Sequence, residues 1–427
     1  RVTLKSVSAD GKTLPGKVRL YQLMAGNTGG DFQLTGGEKI RSAAKLKEPS
    51  VLRNPGVFLR DLKEEGIVAV GYIKQLQITE RGNGVFAWVN KERQRLARII
   101  ENSLPAESAA LHKAIILGMT GGLTHEMRDP FSSTGLAHLL SISGTHFGLL
   151  AFLMFRTIKI MTGLLPEKFL VKMTLYITPS QIAVLAVLPV LILYALLSGM
   201  STPAVRSLIM ISIYMAALFL GRKDQWLNSL SIAAIIILLW QPEALYELSF
   251  QLSFAAVLFI GLIYERTRKA KNEEGQQGAK EKGNNFLMRM NEKIRGHLLM
   301  TLAAVIGTVP LTAFFFKQFS LIAPLANLIV TPFVCFIILP LGILTSFTAL
   351  LFNISAMPFS GMTDALTYFV LKVIRMIAQF PVSNMNIHSP LPVLIMFYFA
   401  AAIYSLKGNS RFRLLPLVLI LFLYLVQ

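Results

Sequence analysis

From Gly135 to its last residue the chain is a succession of apolar runs, and that feature confines the fold more than any other. A bilayer core is about 30 Å thick, and no water reaches the backbone groups inside it. Segments that cross it must pair those groups internally, as helices do. Residues 1–134 read instead as ordinary globular sequence. At 53% hydrophobic and 15% charged, the 427-residue chain is too apolar for a water-soluble protein of its length. The expected fold class is a polytopic α-helical membrane protein with a small N-terminal β-barrel, OB-like, as its soluble domain. Candidate spans are Gly135–Gly163, Ile182–Leu197, Ala204–Leu220, Leu227–Trp240, Leu245–Tyr264, Leu298–Phe316, Leu391–Leu406 and Leu414–Val426. Leu321–Leu351 holds three prolines and is either one kinked pass or a pair of half-spans, which brings the total to roughly nine or ten passes. Leu366–Phe380, with Lys372 and Arg375, reads as interfacial.

Three regions follow: 1–89, an extracytoplasmic barrel; 90–134, amphipathic helices at the membrane surface; and 135–427, the transmembrane domain. In the first, alternation of apolar and polar residues predicts strands at Val2–Val7, Lys17–Leu23, Glu38–Ala44 and Ile67–Ile78, with turns at Gly29-Gly30 and Gly36-Gly37. Asn54-Pro55-Gly56 leads into a short helix, Phe58–Glu65, closed by Gly66. Such barrels bind single-stranded nucleic acid on a basic, aromatic-bearing face. Arg19, Tyr21, Arg41, Arg60, Tyr72 and Lys74 are the candidates, although any solvated sheet face would show similar residues. Next comes a basic amphipathic helix from Asn90, as N-cap, to Leu104, with Lys91, Arg93, Arg95 and Arg98 on its polar side. A second helix starts near Pro105 and ends at Gly121-Gly122, before the polar run LTHEMRDPFSST.

The net charge of +19 suits an anionic partner, nucleic acid or acidic lipid, yet membrane proteins are often basic only because their cytoplasmic loops are. The one long polar insert, Glu265–His297, is expected to be a flexible cytoplasmic loop, with Arg222-Lys223 and Lys407–Arg413 on the same side. Counting back places the soluble domain outside. The single cysteine, Cys335, allows no internal disulfide, thiolate zinc site or redox pair and reads as a small core residue. No signal peptide is visible at Arg1, and an N-terminal part is expected to precede it.

Four polar clusters interrupt the spans, where a polar group without a partner costs about 2–7 kcal/mol. The first is GLAHLLSISGTHFGLL, which sets His138, Ser141, Ser143, Thr145 and His146 inside a span, with Gly144 in the middle of a helix that it can break. The second is SGMSTPAVRS, with Arg206 one turn past Pro203. The third is WQPEALYELSFQLSF, where Glu247 and Gln251 share one helix face and Glu243 sits at the mouth. The fourth is PLANLIVTPF, where Asn327 is placed to satisfy carbonyls freed by Pro332.

In this order the clusters resemble the competence domain of the ComEC family, the membrane DNA-uptake proteins of naturally transformable bacteria. The resemblance runs from RNPGVFLRDLKEEGIVAVGYI through ALHKAIILGMTGGLTHEMRDPFSSTGLAHLLSISGTHFGLL, TPAVRS, QPEALYELSFQLSFAA and QFSLIAPLANLIVTP. It implies an OB-like domain outside and a multispan channel in the bacterial inner membrane that passes one DNA strand inward. The implied partners are single-stranded DNA, membrane lipids, a DNA receptor outside and an ATP-driven translocase in the cytoplasm. Many members of that family continue into a metallo-β-lactamase-like domain with a His-x-His-x-Asp-His signature. The six histidines here are scattered, so no metal, cofactor or nuclease activity is expected of these residues. The family also usually begins with spans ahead of the barrel, so the chain is expected to be a core fragment or a short member.

A strand of phosphates would then run past Ser141, Ser143, Gly144, Thr145 and His146, where a half-helix from Thr145 offers backbone N–H groups. Arg206 is expected to be the one intramembrane cation, held by Glu247 and Gln251, with Asn327 nearby. Two other classes remain open. A secondary transporter for a small anion would share the broken helices and midplane polar groups. An intramembrane serine protease would need Ser143 and a histidine, but His146 is only three residues away on the same segment.

Overall fold

The computed structural model describes residues 84–222, 224–277, 286–380, 383, 385–386 and 390–407, and in the N-terminal part residues 2–4, 7–9, 12–14, 17–21, 39–48 and 67–80. The chain divides into two compact units, Arg1–Glu92 and Arg93–Gln427.

The first unit is built on strands β1 (Val2–Leu4), β2 (Val7–Ala9), β3 (Lys12–Leu14), β4 (Lys17–Tyr21), β5 (Lys39–Lys47) and β6 (Ile67–Glu80). Four of them form a sheet in the order β1-β4-β6-β5, in which only β4 and β6 run parallel, and β2 and β3 form a separate hairpin. The run expected as one strand over Val2–Val7 is thus split. Val18, Leu20 and Ile67 are the buried apolar side chains of this sheet among the described residues. Along β5 exposed and half-buried residues alternate without a break, as a sheet with one solvated face requires. The helix expected at Phe58–Glu65, and Arg60 with it, lies outside the described residues.

Helix α1 (Val85–Ser103) begins five residues before Asn90, which is interior to it rather than its cap. Helix α2 (Ala106–Leu117) ends at Gly118, whose φ of 67° is the left-handed conformation that closes a helix, and not at Gly121-Gly122. The guanidinium of Arg93 donates to the Leu117 carbonyl from Nε and Nη2 at 3.2 and 2.7 Å, supplying the partner that a helix end lacks. The polar run after it forms α3 (His125–Ser133), capped by Thr124. Nine of the twelve residues of α2 are buried, so it is a core helix.

Helices α4 (Gly144–Gly163), α5 (Glu167–Thr174), α6 (Pro179–Leu197), α7 (Thr202–Phe219), α8 (Trp226–Trp240), α9 (Leu248–Gln277), α10 (Phe286–Phe316), α11 (Ala323–Phe333), α12 (Leu339–Leu351), α13 (Ser360–Ala378) and α14 (Pro392–Lys407) complete the second unit, with a two-residue pair, β7 (Gln318–Phe319) and β8 (Met385–Asn386). A π-helical turn, Val334–Ile338, joins α11 to α12. Among the described residues five helical runs are long and apolar enough to cross a membrane, six when the bent pair of α4 and α5 is taken as one; α8 and Pro392–Ser405 are shorter. Leu414–Val426 lies outside the described residues. The stretch expected as a flexible loop over Glu265–His297 is largely helical, because α9 continues to Gln277 and α10 starts at Phe286. Polarity there reflects helix extending past the apolar span.

The core joins α4, α6 and α7. Phe147, Val184, Val187, Leu191, Tyr194 and Ala204 pack together, and the rings of Phe147 and Tyr194 are 5.0 Å apart. Tyr194 also donates to the Ile115 carbonyl at 3.2 Å, which ties α6 to α2.

Candidate functional site: four helix N-termini at one end of the bundle

The first cluster is not a helix interrupted by glycine. The chain turns at Gly135 (φ 73°), makes a short 3-10 turn over Ala137–Leu140 and becomes extended at Ser143. A helix then begins with Gly144 as its first residue. The Ser143 backbone N–H donates to Nδ1 of His146 at 3.2 Å, while Oγ of Ser143 lies 2.6 Å from the Thr145 hydroxyl and 3.0 Å from the same Nδ1. Because Nδ1 accepts, the imidazole proton sits on Nε2. That atom is buried and has no hydrogen-bond partner among the described residues. Ser141, Gly144 and Thr145 are exposed and Ser143 is half-buried.

The other clusters meet this one. A methyl group on Gly144 would touch Ser207 Oγ at 3.5 Å, so α4 and α7 start side by side. Next to Ser207 is Arg206, 3% exposed, whose Nη1 donates to Glu247 Oε2 at 3.0 Å. Glu247 immediately precedes α9 and is 19% exposed on its side chain. It does not share a helix face with Gln251, which turns back to donate to the Leu245 carbonyl at 2.9 Å. Gly135 packs so closely on Ala323, the first residue of α11, that a Cβ there would be 2.6 Å from the alanine methyl. Asn327 donates to the Ala323 carbonyl at 2.9 Å and accepts from the Thr331 hydroxyl at 3.0 Å, so it serves the start of α11 and not the carbonyls freed by Pro332. The side chain of Cys335, in the π turn, lies beside Thr145.

Four polar clusters that are far apart in sequence are therefore the N-terminal ends of α4, α7, α9 and α11. Unpaired N–H groups and the helix dipole make each end positive. None of the four helices has an acidic residue in its first turn. Arg206 is not the only cation of the spans, since Arg156 and Lys159 lie on α4; those two are exposed, whereas Arg206 is buried. Ser207 and the π turn are the residues of this site that sequence reasoning did not find. The position of Ser207 beside Arg206 was the only signal for the former.

In the first unit the candidates separate. Arg19 is 5% exposed, set in the sheet between Thr3 and Val70, so it does not lie on an open face. Arg41 is exposed, and so is Tyr72, which stands opposite Lys45 in register. With Lys39, Lys45 and Lys47, also exposed and on the same face of β5, they make a basic stripe along an edge strand. The lysines were legible as the alternation KIRSAAKLK. Tyr21 and Lys74 lie in β4 and β6.

These features define a helical membrane protein with helix N-termini gathered at one end of its bundle and a separate β unit carrying a basic edge. The competence protein family matches residues 115–411. The chain belongs to that family. It is 27% identical over 322 residues to ComE operon protein 3 of Bacillus subtilis (strain 168), covering 75% of this chain and 37% of that protein. It is 24% identical over 356 residues to competence protein ComA of Neisseria gonorrhoeae, covering 82% of this chain and 45% of that protein. An uncharacterized protein of Aquifex aeolicus (strain VF5) is 27% identical over 301 residues, 69% of this chain and 60% of its own length. The chain thus spans less than half the length of the first two relatives. No solved structure matches.

Proposed function

We propose that this chain passes single-stranded DNA across the bacterial inner membrane during natural transformation, and that the gathered N-termini of α4, α7, α9 and α11 are the mouth that receives the phosphates. The observation that carries the reading is the meeting of these ends through Gly144 and Ser207, Arg206 and Glu247, and Gly135 and Ala323. A nucleic-acid strand brings one negative charge per nucleotide into a medium that cannot solvate it. Backbone N–H groups and helix dipoles supply attraction there without adding mobile charge. Glu247 neutralises Arg206 and keeps that cation from holding the strand too tightly to move.

The orientation follows from charge. Basic residues outnumber acidic ones between Glu265 and His297, a stretch that contains the C-terminal end of α9, so that end faces the cytoplasm and the mouth faces outward. On this reading the first unit is an OB-like barrel outside the membrane, and its basic β5 edge takes the strand from a receptor. An ATP-driven translocase then draws the strand in. The competence protein family and the relative named as a competence protein support the process.

Uptake of labelled DNA by cells lacking the gene, and by cells with it restored, tests the proposal. Restoration of uptake by the wild type but not by Arg206→Gln, with equal amounts of protein in the membrane, is the expected result. Normal uptake with Arg206→Gln and Gly144→Leu together would remove the mouth from the path. Gathered helix ends would also suit a small-anion transporter. That reading predicts that removal of residues 1–84 leaves transport intact, whereas DNA passage fails without them.

A further inference from the structure

Among the described residues, helix α5 is largely exposed. None of its residues is buried, and Phe169, Val171 and the following Leu175 and Tyr176 are 68%, 57%, 76% and 87% exposed. Its axis departs from that of α4 by 118°. Helix α4 packs against the spans α6 and α7, and a turn of that size from it lays α5 close to the membrane plane. Lys168 and Lys172, four residues apart, share one side of the helix, and Phe169 and Met173 share the adjoining side.

The surroundings of α5 are basic. Gln181, in the first turn of α6, donates to the carbonyl of Phe219, the last residue of α7, at 3.1 Å, so the start of α6 and the end of α7 are level. Exposed Arg222 follows α7, and exposed Arg156 and Lys159 occupy the end of α4 that leads into α5. Of the acidic groups at this end, Asp224 is bonded to Arg268 at 2.5 Å, Glu265 also acts on Arg268 from α9, and Glu167 begins α5 itself.

We propose that α5 is an in-plane anchor that selects acidic phospholipid, with Lys168 and Lys172 among the headgroup phosphates and Phe169 in the acyl-chain boundary. An exposed apolar side bordered by lysines is what an interfacial helix presents to an anionic leaflet. A soluble polyanion would leave Phe169 in water, and a second copy of the chain would have to bring acidic groups to two lysines. This assignment is independent of what the mouth transports.

The test uses the full chain with Cys335→Ser and Phe169→Cys, labelled at 169 with a fluorophore and placed in nanodiscs of mixed phosphatidylcholine and phosphatidylglycerol, one or the other brominated on its acyl chains. The expected result is quenching by both lipids, with phosphatidylglycerol contributing beyond its share. Lys168→Gln with Lys172→Gln should remove that excess, each lysine accounting for roughly a fivefold local enrichment. Three results would overturn the proposal. Quenching by aqueous iodide and by neither lipid would put the helix in water. Equal quenching by both lipids, unchanged in the double variant, would make α5 an apolar anchor without headgroup selection. Cross-linking between copies through position 169 at high dilution would show a second chain on this face. The side chains altered on α5 are exposed, and the buried Cys335→Ser change is common to every variant, so the melting temperature is expected to be the same with and without the lysine changes.

Discussion

Two regions of the second unit each bury a histidine completely, and they use it in opposite ways. At the mouth, His146 accepts a hydrogen bond on Nδ1 and keeps its proton on a buried Nε2. In the pocket between α2, α12 and α13, His112 Nε2 lies 3.0 Å from the Thr367 hydroxyl, which spends its own proton on the Thr363 carbonyl at 2.7 Å. Nε2 of His112 must therefore donate, and Nδ1 is left as a bare lone pair pressed against Gly342. Around His112 the pocket is closed by packing and by the contact of Ser108 with Asp364 at 2.5 Å. Around His146 the neighbours Gly144 and Thr145 are exposed. The contrast teaches that burial of a histidine says little about its work. What separates the two is whether the surrounding residues are closed in by packing or exposed.

The largest effect should come from the mouth. Arg206→Gln is expected to abolish DNA uptake, and because it strands the carboxylate of Glu247 it should also destabilise the protein by about 3 kcal/mol or somewhat less, Glu247 being partly hydrated. Adding Glu247→Gln should restore the melting temperature without restoring uptake. Recovery of uptake in the double variant would make the pair structural and collapse the contrast with the pocket.

The glycines sharpen it next. A Cβ on Gly342 would stand 2.6 Å from His112 Nδ1 and 2.9 Å from Ile116 Cδ1, so Gly342→Ala should cost about 1–3 kcal/mol and lower the yield of folded protein. Gly144→Ala meets only Ser207 Oγ at 3.5 Å and should fold normally. Comparable melting temperatures for the two alanine variants in detergent would deny that the pocket is the tighter region.

The pH response is smaller. Burial pushes His112 down to about 4 from its ordinary 6.5, against an opposing pull from Asp364. The unfolded chain therefore takes up a proton as pH falls through 6.5 while the folded chain does not. The stability lost between pH 6.5 and 5 should be about 2 kcal/mol, and none should be lost to this group above 7. His112→Leu should flatten that part of the melting-temperature profile, although it sacrifices the bond to Thr367. A profile equally steep with leucine would place the titration elsewhere. Least of all, Cys335→Ser keeps a hydrogen-bonding group beside Thr145 and should leave uptake and stability unchanged within error.

The apolar helices were legible because hydrocarbon imposes one rule on every residue of a span, and the starts of α6, α7 and α8 fall within three residues of where hydropathy puts them. Arg206 and Glu247 were legible as a pair for a related reason: each is expensive inside a span unless it finds the other. Gly144 was visible as a breaker but was misplaced, since the same residue type interrupts a helix or opens one, and only the extended backbone at Ser143 decides between them. Gly118 was missed because Gly121-Gly122 is the louder signal three residues on. The burial of Arg19 depends on which strands flank β4, and alternation along one strand does not carry that information. His112 was seen only as one scattered histidine, because its partners lie on α12 and α13, more than two hundred residues away.

The π turn at Val334–Ile338 adds one residue to an otherwise continuous helical run from Ala323 to Leu351. An added residue rotates everything beyond it by about 100° relative to an unbroken α-helix. The face that α12 shows to α2, including Gly342, is therefore out of phase with the face that α11 shows to the turn at Gly135. Removing one residue from Val334–Ile338 would let the ladder close as ordinary α-helix and swing Gly342 away from His112, so the fit of the pocket is timed by a miscount in the helix beside the mouth.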